Sequence, residues 1–79
     1  MPTIYRHRGY RFFFSNEGDP REPPHVHVRH GERVAESWLV PRVALASAWQ
    51  MSVAELNMLH GIVQEQRETF ERAWHEHVP

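Results

Sequence analysis

Cysteine is absent from this 79-residue chain, and so is lysine: all nine cationic side chains other than histidine are arginines. Without cysteine no disulfide can staple the fold and no thiolate can hold zinc, so a metal centre has to draw on histidine and carboxylate. The same absence fits a reducing compartment. Arginine codons are GC-rich, so the exclusive use of arginine says little about function by itself. Long apolar runs are missing as well. No segment approaches the roughly twenty residues of a membrane span, and the opening Met1-Pro2-Thr3-Ile4-Tyr5-Arg6 has no apolar stretch of signal-peptide length. A cytoplasmic protein with no membrane partner is expected. Low-complexity tracts and internal repeats are also lacking.

What is present is a globular composition: 41% hydrophobic residues, three Trp, four Phe and two Tyr, with 24% charged. A chain of this length makes one domain, 1–79, and buries only about 60% of the surface its unfolded state exposes. Its margin of stability is thin, so a second chain covering one face could matter as much as the internal core. The net charge of −1 divides into +2 over residues 1–42 and −3 over residues 43–79. This split is too mild to single out a partner.

The chain is organised around Pro23-Pro24-His25-Val26-His27-Val28-Arg29-His30. The two prolines fix φ and donate no ladder hydrogen bonds, so they read as a rigid turn into a valine-rich strand. Strand side chains alternate, placing His25, His27 and Arg29 on one face and Val26, Val28 and His30 on the other. Before it, residues 3–7 and 10–15 are rich in β-branched and aromatic residues and flank Arg8-Gly9, a hairpin pattern. Tyr10, Phe12 and Phe14 share a face there, suited to a core wall, and also to stacking bases. Residues 16–24 form a polar, proline-punctuated loop whose Asp19, Arg21 and Glu22 are expected in solvent. After the histidine strand, Gly31-Glu32 reads as a tight turn and residues 33–40 as another strand, closed by Pro41. Residues 42–51 read as a connector with a helical turn at Val43–Ala46. Ser52-Val53-Ala54-Glu55 then fits a capping box opening a helix over about 53–75. Val53, Leu56, Leu59, Ile62, Val63, Phe70, Ala73 and Trp74 form its apolar stripe, and Gly61 marks a bend or close crossing. His75 and His77 fall at a fraying, solvated end. The sum is an α+β domain: a small, mostly antiparallel sheet of three to four strands (β-rich 1–41), a connector (42–51) and one long C-terminal helix packed on the sheet.

Pro2-Thr3-Ile4, Gly9-Tyr10-Arg11-Phe12, Pro23-Pro24-His25-Val26-His27-Val28, Trp38-Leu39 and Ala73-Trp74 together resemble a widespread prokaryotic group, domain-of-unknown-function family 4160. The resemblance spans essentially the whole chain, and the Pro-Pro-His-Val-His-Val string is its most specific part. Genes of that family often lie in two-gene operons beside another short protein, pairs proposed as toxin–antitoxin-like modules. The resemblance thus implies a protein partner from the same operon and points to His25 and His27, without supplying a reaction. Residues 17–22 depart from it as an insertion-like segment.

Several chemistries use the histidine face. Two His at i and i+2 on a strand have Cα atoms about 6.5–7 Å apart, close enough to share one metal ion, so zinc is possible, although no cofactor is expected. A site would need a further donor, from His7, Glu32, Glu36 or His75. Without metal, His25 and His27 beside Arg29 could act as general acid and base with a cation for developing negative charge, as in a small ribonuclease. The bland alternative is that both imidazoles satisfy structural partners around the Pro-Pro turn. Trp38, Trp49 and Trp74 read first as core and second as interface anchors. The leading expectation is a protein-interaction component of a two-gene, toxin–antitoxin-like module, docking by strand addition to the operon partner or to a second copy as a homodimer. Its binding surface would draw on Tyr10, Arg11, His25, His27, Arg29 and Trp38. The alternatives are a ribonuclease or metal-dependent hydrolase centred on His25, His27 and Arg29, and a nucleic-acid binder using Arg6, Arg8, Arg11 and Tyr10.

Overall fold

The Arg8-Gly9 pair adopts positive φ at both positions, 46° and 86°. This is the pattern of a type I′ turn, whose twist matches that of the strands it joins. It closes β1 (Thr3–His7) onto β2 (Tyr10–Phe13) with His7 opposite Tyr10. Gly31, at φ 63°, plays the same part between β3 (His25–His30) and β4 (Arg33–Trp38). A computed structural model describes residues 3–14 and 21–77, so the expected solvation of Asp19 and the start of the 16–24 loop lie outside the described residues.

β5 (Ala44–Trp49) completes a five-stranded sheet, ordered β1-β2-β3-β4-β5 with every neighbouring pair antiparallel. The expectation of three to four strands misses this last one. These residues fall inside the connector expected over 42–51, with its helical turn at Val43–Ala46, and their alternation is broken. The break has a structural cause. Ser37 pairs with Leu45 and Glu36 with Ser47, so Ala46 is the extra residue of a bulge. Pairing with β4 overrides local propensity.

The C-terminal segment is two helices, α1 (Val53–Glu65) and α2 (Arg67–His77), rather than one over 53–75. The start is where the capping box puts it: Glu55 N–H donates to Ser52 Oγ (3.1 Å) and Ser52 N–H to Glu55 Oε1 (3.0 Å). The break falls at Gln66 (φ −98°, ψ 12°), not at Gly61, which sits inside α1 with open space where a Cβ would go. Gln66 N–H still reaches the Ile62 carbonyl and Phe70 N–H the Gln66 carbonyl, so the turn is distorted without being lost. Arg67, the first residue of α2, donates to the Pro41 carbonyl (3.1 Å).

Both helices lie on one face of the sheet. Leu59 and Val63 of α1 and Phe70 and Trp74 of α2 meet Phe12, Phe14, Val26 and Val28 from the strands, with Leu39 and Val43 beside them. Phe70 centres an aromatic cluster, its ring 5.8 Å from both Tyr5 and Phe12. Each large side chain fully buried here contributes roughly 1.5–3 kcal/mol. Val53, placed on the stripe by spacing, is 74% exposed and lies off it. His77 belongs to α2 and packs on Phe14 (ring centroids 5.6 Å), whereas His75 is exposed, as the sequence suggests. No described helix is long and apolar enough to cross a membrane.

Candidate functional site

The opposite face of the sheet carries the chemistry. Phe12, Val28 and Ala35 are paired across β2, β3 and β4 and point to the helices, so Arg11, Phe13, His27, Arg29, Val34 and Glu36 point away. His27 is directly opposite Glu36, and His25 opposite Trp38. The Glu36 carboxylate therefore falls between two imidazoles: its Oε2 lies 3.3 Å from His25 Nε2 and 3.7 Å from His27 Nε2. These three donor atoms sit within 4.8 Å of one another and form the one group of three such ligands among the described residues. His7, Glu32 and His75, the other donors considered from sequence, are not brought to it.

The Pro-Pro turn holds the first histidine. Leu39 N–H donates to the Pro24 carbonyl (2.9 Å), extending the β3–β4 pairing back over the prolines. His25 Nδ1 then lies 3.0 Å from the Pro23 carbonyl. A carbonyl can only accept, so Nδ1 carries the proton and Nε2 is left to face Glu36. The ring is 4% exposed, walled by Trp74 of α2 (centroids 5.0 Å) and Trp38 (5.4 Å). Glu22 stands at the rim, its carboxylate 3.9 Å from His25 Nε2. His27 is half-buried and stacks on Phe13, centroids 5.5 Å apart and planes 20° apart. Burial holds its pKa below the ordinary value, opposed by the Glu36 carboxylate. Its Nε2 is buried and has no hydrogen-bond partner among the described residues. Ser47 of β5 reaches the other Glu36 oxygen at 3.4 Å.

Next to this cluster runs a row of arginines. Arg6 of β1, Arg11 of β2 and Arg29 of β3 are directly opposite one another, about 6.5–7 Å along the strands from the Phe13–His27 pair. Like charges placed so repel, and no described carboxylate neutralises them. Arg11 lies over the Phe13 ring at 4.6 Å, and Arg29 donates to the Gly31 carbonyl.

Of the residues picked out from sequence, His25, His27 and Trp38 converge, and Arg11 and Arg29 share the face one row away. Tyr10 does not join them. Its parity puts it with Phe12 on the helix side, where its hydroxyl donates to Glu55 (2.7 Å) and its ring meets His30. A hairpin platform of Tyr10 with Arg6, Arg8 and Arg11 is therefore not formed. Phe13 and Trp74 were missed as parts of the site. Glu36 could have been singled out by counting, because a two-residue turn at Gly31-Glu32 fixes His30 opposite Arg33 and hence His27 opposite Glu36.

Residues 9–75 match the family described as "Domain of unknown function (DUF4160)". The chain belongs to this family. The match takes in the histidine strand, Glu36, α1 and most of α2, and so all three members of the cluster lie within the family domain. No curated protein and no solved structure matches the chain.

Proposed function

We propose that this family member is a protein-interaction component of a two-gene, toxin–antitoxin-like module, and that it takes its partner by strand addition at β5. The supporting observation is the state of that edge. From Leu45 to Trp49 every residue of β5 is exposed, with Leu45 at 53% and Trp49 at 62%. The strand contains no charge and no proline, the usual devices that keep an edge from pairing. The other edge, β1, carries Arg6, His7 and a bulge at Ile4. The occupant is a β-strand of the small protein encoded in the same operon, with main-chain hydrogen bonds giving affinity and Leu45 and Trp49 giving grip on either face.

The test is to co-express the chain with its operon neighbour and measure mass by light scattering. A one-to-one complex is expected, weakened at least tenfold, about 1.4 kcal/mol, by Leu45→Lys with Trp49→Lys. A stable homodimer of the chain alone would assign the edge to a second copy. A monomer that forms no complex contradicts the proposal.

A second reading, nucleic-acid binding, draws on the unneutralised row Arg6, Arg11 and Arg29 with Phe13 beside it. Each phosphate contact would add about −0.7 to the slope of log affinity against log salt for a single strand, and Arg11→Ala would reduce that slope. Affinity for an oligonucleotide that ignores salt excludes it.

A further inference from the structure

Three side chains able to offer an electron pair converge on one face of the sheet. With Nδ1 donating to the Pro23 carbonyl, His25 turns Nε2 toward the Glu36 carboxylate, 3.3 Å away. His27 Nε2 comes in from the next position at 3.7 Å, buried and without a hydrogen-bond partner among the described residues. Such an arrangement costs free energy unless a proton or a metal cation lies between the donors.

From this we infer that His25, His27 and Glu36 form a binding site for a divalent transition-metal ion of the zinc class, with His25 Nε2, His27 Nε2 and Glu36 Oε2 as ligands. Metal–ligand bonds of about 2.0–2.2 Å at tetrahedral angles set donor separations near ~3.4 Å. The two distances to Glu36 bracket that value, and the whole set spans at most 4.8 Å, so a small closing movement of the imidazoles completes it. Two imidazoles with one carboxylate select zinc, nickel or cobalt over magnesium and calcium, which prefer oxygen-only shells.

The surroundings fit a metal site as well as the donors do. The Pro23 carbonyl orients His25 by its far nitrogen, the outer-shell contact that metal-bound histidines use. Trp38, Trp74 and Phe13 wall the two rings and restrict their rotation. Glu22, 53% exposed and 3.9 Å from His25 Nε2, can swing in as a fourth ligand or leave that position to water. The site opens on the face that carries Arg11 and Arg29, so a ligand entering the fourth position meets guanidinium groups one row away, a setting for an anion.

The test uses the whole chain, freed of metal with EDTA and then titrated with Co²⁺ and Zn²⁺, with Mg²⁺ as control. One Co²⁺ per chain is expected to bind with the visible absorption of a low-coordinate cobalt–imidazole centre, and Zn²⁺ to displace it and raise Tm. Glu36→Gln keeps the shape of a half-exposed side chain and is expected to fold, yet to lose at least tenfold in Zn²⁺ affinity. His27→Gln should lose more. Unchanged Tm with Zn²⁺ in excess and no cobalt band overturns the assignment, as does Zn²⁺ affinity equal to wild type in both variants. Failure here leaves the β5 edge untouched, because no ligand lies on that strand.

Discussion

Glu55 shows how much one side chain can hold in a domain of this size. One oxygen closes the capping box at Ser52, and the other accepts from Tyr10 of β2 and Arg33 of β4, tying the start of α1 to two strands. The Tyr10 hydroxyl first, then the Ser52 backbone amide and the Arg33 guanidinium, bring its pKa down from 4.5 to about 2. The folded-state value lies below the unfolded one, so the stabilisation is fully present above pH 4.5 and drains away as pH falls toward 2. Glu55→Gln should lower Tm at neutral pH and flatten its fall between pH 5 and pH 2. Melting curves across that range check this, and an acid limb as steep as wild type contradicts it. At the same scale, the histidine cluster was half legible. Alternation along 25–29 placed both imidazoles on one face, but Trp74 reaches His25 from a helix some fifty residues away, which no local pattern encodes.

Among the elements, α1 offers the simplest prediction. Gly61 lies in its interior with open space around a would-be Cβ, and its φ is not in the left-handed region. Gly61→Ala should therefore raise stability by about 1 kcal/mol, read from chemical denaturation with an unchanged m-value. A loss of stability would mean that the glycine serves a contact the fold does not show. In the opposite direction, Ser52→Ala removes the cap and should cost about 1 kcal/mol. The start of this helix was legible because capping is local chemistry, written in Ser52 and Glu55 alone. Its end was not: neither Gln66 nor Arg67 is a helix breaker, and the distortion at Gln66 coincides with Arg67 reaching the Pro41 carbonyl. β5 was illegible for a related reason. The bulge at Ala46 shifts the alternation by one residue, and pairing with β4 decides the outcome. The β1–β2 and β3–β4 hairpins, by contrast, are announced by Arg8-Gly9 and Gly31, whose positive φ the turns require.

At the scale of the whole molecule, the decisive feature is asymmetry. Both helices cover one face of the sheet, with Trp74 of α2 reaching round to His25, which leaves the other face with the His25, His27 and Glu36 cluster and a row of arginines, and one edge with an uncharged strand. An isolated domain gains nothing from an unguarded edge, which is a liability to aggregation. A domain that works by pairing with another chain needs one. We propose β5 as that docking strand, and amide hydrogen exchange reads it out residue by residue. In the free chain the outward-facing amides of residues 44–49 should exchange fast. In complex with the operon partner they should become the most strongly protected new set, while the amides of β1 change little. Protection that appears instead on β1 or on the helices, with β5 still exchanging freely, would contradict the account.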